Sequence, residues 1–196
     1  RHYEPDILVN YNANAPALRY PVAAWTVQLL GPRYAPIRRE FRVYRDIPKR
    51  IVPQATKVLV TFGGLPQVDA YSSLIEALIN LGFEVKTANG TVAMPDLMDW
   101  ADMAITAGGV TTYELAYMGV PGITVSVADN QVENCKALDA AGVLCYLGPM
   151  DGSLPLRRIL DAAVMLAADV DGRRAMAEAG REMVDGKGAR RIVGMI

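Results

Sequence analysis

TAGGVTTYELAYMGVP, residues Thr106 to Pro121, packs three signals into one short run. An apolar strand end leads into Gly108-Gly109. A helix follows that opens with the hydroxyls of Thr111 and Thr112, carries the carboxylate of Glu114, and stops at Gly119 and Pro121. A diglycine turn at a helix N-terminus suits an anion, because backbone N–H groups there lack intrahelical partners, the helix dipole is positive and glycine permits close approach. The same residues also fit a purely local role. Thr111 at the N-cap would put Glu114 at N3, a capping box contributing about 1 kcal/mol to the helix with no ligand at all.

Outward from this stretch the pattern is regular. Val58 to Phe62, Glu84 to Ala88, Met103 to Thr106, Ile123 to Val127 and Val143 to Leu147 are short, mostly apolar runs. Helical spacing separates them over Val68 to Leu81, Met94 to Trp100, Thr111 to Met118 and Asn130 to Ala141. Three more helical stretches, Leu154 to Ala168, Arg173 to Val184 and Gly188 to Ile196, close the chain. Apolar strands alternating with helices predict an α/β fold, a Rossmann-like parallel sheet with helices on both faces. Ligands of such sheets bind beyond the C-terminal strand ends. Here those ends carry Gly63-Gly64, the turn Asn89-Gly90, Gly108-Gly109 and Asp129-Asn130-Gln131.

Each end has a structural and a functional reading. Gly63-Gly64 could cradle phosphate or simply make a tight turn; it is neither a Walker loop nor a GxGxxG fingerprint. Asp129 is a natural N-cap, whereas the amides of Asn130 and Gln131 could hydrogen-bond sugar hydroxyls as donors or acceptors. Met94, Pro95, Leu97 and Met98 could border a nucleobase through their backbone, or serve the core.

Upstream, Asp6 to Asn10 is strand-like and Trp25 to Leu30 is a second apolar run. Between Gly31 and Pro53 four prolines break any long helix, and Arg33, Arg38, Arg39, Arg42, Arg45, Lys49 and Arg50 make the segment basic. It reads as an inter-domain connector, either a solvated linker or one that turns Arg33 or Arg38 toward an anionic ligand. The expected division is 1–53, the tail of an N-terminal domain plus connector, and 54–196, the ligand-binding domain. The start at Arg1 suggests that the remainder of that N-terminal domain lies outside this sequence.

Composition narrows the function. With 20 Lys and Arg against 21 Asp and Glu, the net charge of -1 offers no general attraction to nucleic acid. The apolar runs are too short to span a bilayer. The two cysteines, Cys135 and Cys145, have no metal-ligand spacing and read as reduced, buried thiols of a cytoplasmic protein. The single histidine, His2, sits at the terminus, which argues against Ser–His or Cys–His catalysis and histidine-rich metal sites within this chain. No carboxylate pair suggests Mg²⁺, and no cofactor is expected.

The run MPDLMDWADMAITAGGVTTYELAYMGVPGITVSVADNQVENCKAL resembles the C-terminal half of the two-domain, B-type glycosyltransferase superfamily. Within that superfamily it is most similar to the UDP-sugar hydrolase of pseudaminic acid biosynthesis and to spore-coat polysaccharide proteins. LLGPRYAPIRREF (Leu29 to Phe41), VLVTFGG (Val58 to Gly64) and MVDGKGARRIV (Met183 to Val193) also match that group's pattern. The resemblance implies a UDP-sugar partner. Gly63 and Gly64 would lie near the distal phosphate or sugar, Gly108, Gly109, Thr111 and Thr112 at the diphosphate, and Glu114 at the ribose. The backbone around Met94, Leu97 and Met98 would meet the uracil, and Asn130 and Gln131 the sugar. It further implies that a histidine base belongs to the N-terminal domain, and it suggests a sheet of five strands where the group has about one βα unit more. The implied activity is UDP-sugar hydrolysis at the anomeric carbon; the alternatives are glycosyl transfer and a non-catalytic nucleotide-sugar-binding module.

Overall fold

The computed structural model describes residues 4–62, 68–88, 93–150 and 155–195. Gly63-Gly64, Asn89-Gly90 and His2 lie outside the described residues. The chain begins with β1 (Ile7–Asn10) and β2 (Val27–Leu30), which pair in parallel as a separate two-stranded sheet. After the proline-rich connector come β3 (Lys57–Thr61), α1 (Val68–Asn80), β4 (Glu84–Thr87), α2 (Met94–Trp100), β5 (Met103–Ala107) and α3 (Thr111–Met118). These are followed by β6 (Gly122–Ser126), α4 (Asp129–Ala140), β7 (Cys145–Pro149), α5 (Leu156–Ala168), α6 (Val170–Met183) and α7 (Gly188–Val193).

The second sheet is five-stranded and wholly parallel, in the order β4-β3-β5-β6-β7. Pleating sends alternate side chains to opposite faces. Val58, Val60, Met103, Ile105, Ile123 and Val125 therefore build one core layer beneath α1 and α5. Leu59 and Ala104 face the other layer, with Met98, Leu115 and Leu138 from α2, α3 and α4. Strands buried on both sides need no polar alternation, which is why they read as continuous apolar runs. Each fully buried branched side chain contributes roughly 1.5–3 kcal/mol relative to exposure.

The chain passes outward from β3 to β4 on one side, then returns to β5 on the other. The C-terminal ends of β3 and β5 therefore border the topological switch point, where such sheets leave a crevice. α3 starts at this crevice and runs into the interior. Residues Thr112 through Met118 are all buried, enclosed by the sheet on one side and α6 on the other. The close α3–α6 approach depends on Gly180, where a Cβ would lie 2.9 Å from Ala116 Cα. Gly119 ends the helix at φ 69°, with its N–H on Ala116 O, as its position at the end of the apolar run predicts.

The connector is not merely solvated. Phe41 is fully buried in the layer shared with α2 and α3. The Arg45 guanidinium donates to Val184 O (3.2 Å) and Arg181 O (3.1 Å), while the Arg181 guanidinium donates back to Arg45 O and to Ile47 O. Lys49 Nζ caps the last carbonyls of α2, on Met98 O (2.8 Å) and Asp99 O (2.6 Å), and its burial lowers its pKa to about 8. Arg39, Arg42 and Arg50 remain exposed. Among the described residues, no helix is long and apolar enough to cross a membrane.

Two of the boundary differences have a clear local cause. β7 starts at Cys145 rather than Val143, because Val143 and Leu144 are spent on the core within the turn before it. α6 starts at Val170 rather than Arg173, because Asp169 Oδ1 accepts from Gly172 N (2.9 Å) and caps it.

Candidate functional site

The diglycine turn divides its work between two residues. Gly108 continues the sheet, its N–H on Val125 O (3.0 Å), and lies against α4: a Cβ there would sit 2.2 Å from Cys135 Sγ and 3.2 Å from Gln131 Cβ. Only glycine lets the turn come this close to the next helix. Gly109 is the opposite case, since a Cβ there would meet no described residue within 4 Å. The half-exposed Gly109 thus opens onto space at the crevice, one residue from the helix start.

No capping box forms. The N-cap of α3 is Val110, in helical conformation, and no side chain caps the helix. Thr111 occupies the first helical position, so its hydroxyl is not placed to cap, and Thr112 Oγ1 instead donates to Gly109 O (2.8 Å). Glu114 turns away from the helix start altogether and accepts from Arg38 Nε at 2.7 Å. Among the described residues, the backbone N–H groups of Gly109, Val110 and Thr111 make no hydrogen bond. Three amides of one turn, at the positive end of a helix, have the arrangement that suits an anion.

Glu114 lies one turn deeper, about 4.5 Å along the axis from Thr111 at 1.5 Å per residue. It is 5% exposed. Burial raises the pKa of its carboxyl, the Arg38 hydrogen bond and charge pull it back, and Glu40 raises it slightly. Arg38 also pairs with Glu40 (3.0 Å) and lies over the Phe41 ring. The connector therefore supplies a cation to the helix carboxylate. Of the two connector arginines singled out in the sequence, Arg38 reaches the site, whereas Arg33 is exposed and its carbonyl is held by Arg191 (2.8 Å).

The start of α4 forms the next wall. Asp129 is not its N-cap; Ala128 is, and it makes no side-chain cap bond. Gln131 instead folds back, its Oε1 accepting from Val127 N at 2.9 Å, which leaves its NH₂ group and one Oε1 lone pair for a ligand. Its side chain borders the space above Gly108, which brings Gly108 and Gln131 together. Asn130 is exposed at the same helix start. Met94 and Met98 are buried core side chains, 4% and 0% exposed, and Leu97 packs half-buried against them. Any contact from α2 to a base would therefore come from backbone.

Two polar residues at the back of the site were not singled out in the sequence. Asn134 Oδ1 accepts from both Tyr113 OH (2.7 Å) and Ala13 N (2.8 Å), tying the loop after β1 to α3 and α4. Burial raises the pKa of the Tyr113 phenol, and Tyr11 packs edge-on against its ring. α4 is polar along most of its length, so nothing in its pattern set Asn134 apart. Cys135 is fully buried and Cys145 half-buried; both are free thiols. Among the described residues, no cluster of His, Cys, Asp and Glu could hold a metal ion.

No protein-family model matches the chain. The spore coat polysaccharide biosynthesis protein SpsG of Bacillus subtilis (strain 168) is 29% identical over 113 residues, covering 58% of this chain and 33% of its own length. Among solved structures, MurG of Acinetobacter baumannii aligns with a TM-score of 0.62 at 16% identity, over 97% of this chain and 59% of that one. The kitacinnamycin glycotransferase aligns at 0.59 and 20% identity, over 82% and 46%. Glycosyltransferase SsfS6 of Streptomyces sp. SF2575, complexed with thymidine diphosphate, aligns at 0.55 and 20% identity, over 89% and 49%. The chain thus spans a third of the curated relative and about half of the solved ones. Its fold, a Rossmann-like parallel sheet with helices on both faces, is the fold seen in these glycosyltransferase structures.

Proposed function

We propose that this chain binds a UDP-sugar and provides the donor half of an enzyme that breaks the anomeric C–O bond and releases UDP. The observation that carries the reading is the unpaired amide set of Gly109, Val110 and Thr111, beside open space and one helical turn from Glu114. The diphosphate would accept from these amides and from the Thr111 hydroxyl. The ribose diol would donate to Glu114, whose carboxylate can accept both O–H groups. Asn130 and the Gln131 NH₂ would face the sugar, and the backbone of α2 around Met94, Leu97 and Met98 the uracil. Gly63 and Gly64 would close the phosphate end. The complex of the structural relative SsfS6 with thymidine diphosphate supports a nucleoside diphosphate as the ligand class.

As the anomeric C–O bond breaks, its electron pair passes to the β-phosphate oxygen. Fixed N–H donors and the helix dipole stabilise the charge that grows there, with no reorganisation at the moment of reaction. The acceptor is a hydroxyl in a transferase, which the glycosyltransferase folds of the relatives favour, or water in a hydrolase. We assign that choice, and the general base, to a domain that includes β1 and β2, with 1–53 as its tail and connector. Support comes from the exposed Val9, Trp25 and Val27 in and beside a parallel pair, because parallel sheets are ordinarily covered on both faces. Isothermal titration with UDP tests the reading. Wild type should bind, and Glu114→Ala should bind at least about tenfold more weakly, a loss of ~1.4 kcal/mol. Unchanged affinity would remove the ribose from Glu114.

A further inference from the structure

A connector residue bears on how the carboxylate of α3 can work. Glu114 is 5% exposed, and burial of this kind favours the neutral acid, which donates one of its two oxygens and loses half its use as a diol acceptor. Arg38 opposes this. It reaches across 76 residues of sequence, donates from Nε to Oε1 at 2.7 Å, and is itself held by Glu40 at 3.0 Å and by the face of Phe41, which is fully buried. Three contacts thus fix the guanidinium of a side chain that is 41% exposed.

The geometry leaves the carboxylate usable. A carboxylate has about four lone-pair positions, of which Arg38 Nε takes one. Among the described residues, Oε2 accepts no hydrogen bond. Two hydroxyls can therefore dock while Arg38 stays in place. Displacement of Arg38 would strand its charge beside Glu40 alone and is not required.

We propose that Arg38 is the positioning residue of the ribose subsite: it holds Glu114 ionised and oriented so that the site recognises a vicinal diol. This rests on the assignment of the ribose to Glu114. Arg38 touches no ligand atom in this account and acts through the carboxylate. The charged groups facing Glu114 are Arg38 and Glu40, both from the connector.

The test compares UDP with 2′,3′-dideoxy-UDP by calorimetry on wild type, Arg38→Ala and Arg38→Lys, between pH 5 and 8. The ratio of the two affinities cancels phosphate titration and isolates the diol. Wild type should prefer UDP at least about tenfold. Arg38→Ala should bring the ratio close to one at pH 5, with partial recovery toward pH 8 as Glu114 ionises unaided, and Arg38→Lys should retain an intermediate ratio. If wild type binds both nucleotides equally, the ribose assignment itself is wrong. If wild type discriminates and Arg38→Ala discriminates as well at every pH, only the role of Arg38 is overturned. An equal loss for both nucleotides in Arg38→Ala would place Arg38 on the phosphates and likewise overturn it.

Discussion

α3 and α4 start in the same way, at the C-terminal end of a central strand, and each offers a natural capping residue, Thr111 and Asp129. Neither residue caps. Both starts leave backbone amides without a hydrogen bond among the described residues: Gly109, Val110 and Thr111 at α3, Asp129 and Asn130 at α4. They differ in their side chains. At α4 Gln131 folds back to accept from Val127 N, just ahead of the helix, whereas at α3 the acid of the first turn is drawn to Arg38 on the connector. The α3 start also lies beside space that no described residue fills at Gly109. The same contrast recurs inside the turn. Gly108 is glycine because α4 is too close for a side chain, and Gly109 is glycine where no described residue approaches a Cβ within 4 Å.

Substitutions can break this comparison. The largest effect on stability should come from Gly108→Ala, whose Cβ would fall 2.2 Å from Cys135 Sγ. Overpacking of this kind costs typically 1–3 kcal/mol, to be read from urea unfolding, and Cys135→Ala should recover part of it. Full stability of Gly108→Ala alone would refute the packing role. Next, Gln131→Ala should cost about 1 kcal/mol by leaving Val127 N without its acceptor. Thr111→Ala should fall within about 0.5 kcal/mol of wild type, as expected away from caps and core. A loss near 1 kcal/mol would revive the capping box.

Glu114 sharpens the contrast from the electrostatic side. Its folded-state pKa is raised, chiefly by burial. The ionised carboxylate therefore costs stability at pH values above that pKa, and the cost disappears as the pH falls through it. Glu114→Gln should accordingly leave neutral-pH stability unchanged or slightly higher while UDP affinity falls. A clear drop in melting temperature at pH 7 would instead make the Arg38–Glu114 pair a structural strut.

The framework of the domain was legible in the sequence for a physical reason. Strands buried on both faces have no polar alternation to confuse them, and Gly and Pro punctuate their ends, so all five strands lie within two residues of where the pattern put them and the helix Thr111–Met118 matches it. Local chemistry was harder to read. Whether Thr111 caps depends on whether the helix begins at Val110 or one residue later, which spacing does not fix. The partner of Glu114 is 76 residues away, and Asn134 meets Ala13 across 121 residues. Such pairs are set by how the connector and the β1 loop dock on α2, α3 and α4. The basic run from Arg33 to Arg50 likewise looked uniform, yet it divides into Arg38 at the site, Arg45 and Lys49 on helix-end carbonyls, and Arg39, Arg42 and Arg50 in solvent.

The open turn at Gly109 is the centre of the account, and Gly109→Ala addresses it with the least disturbance. The added Cβ meets no atom of the described residues within 4 Å, and the residue does not have positive φ. Urea unfolding and UDP titration should be run on the same preparation, alongside wild type. The account predicts stability within about 0.5 kcal/mol of wild type together with a loss of UDP affinity of tenfold or more, equivalent to ~1.4 kcal/mol. Wild-type affinity in a fully folded Gly109→Ala protein would contradict it, because the space beside the free amides would then not be where the diphosphate sits.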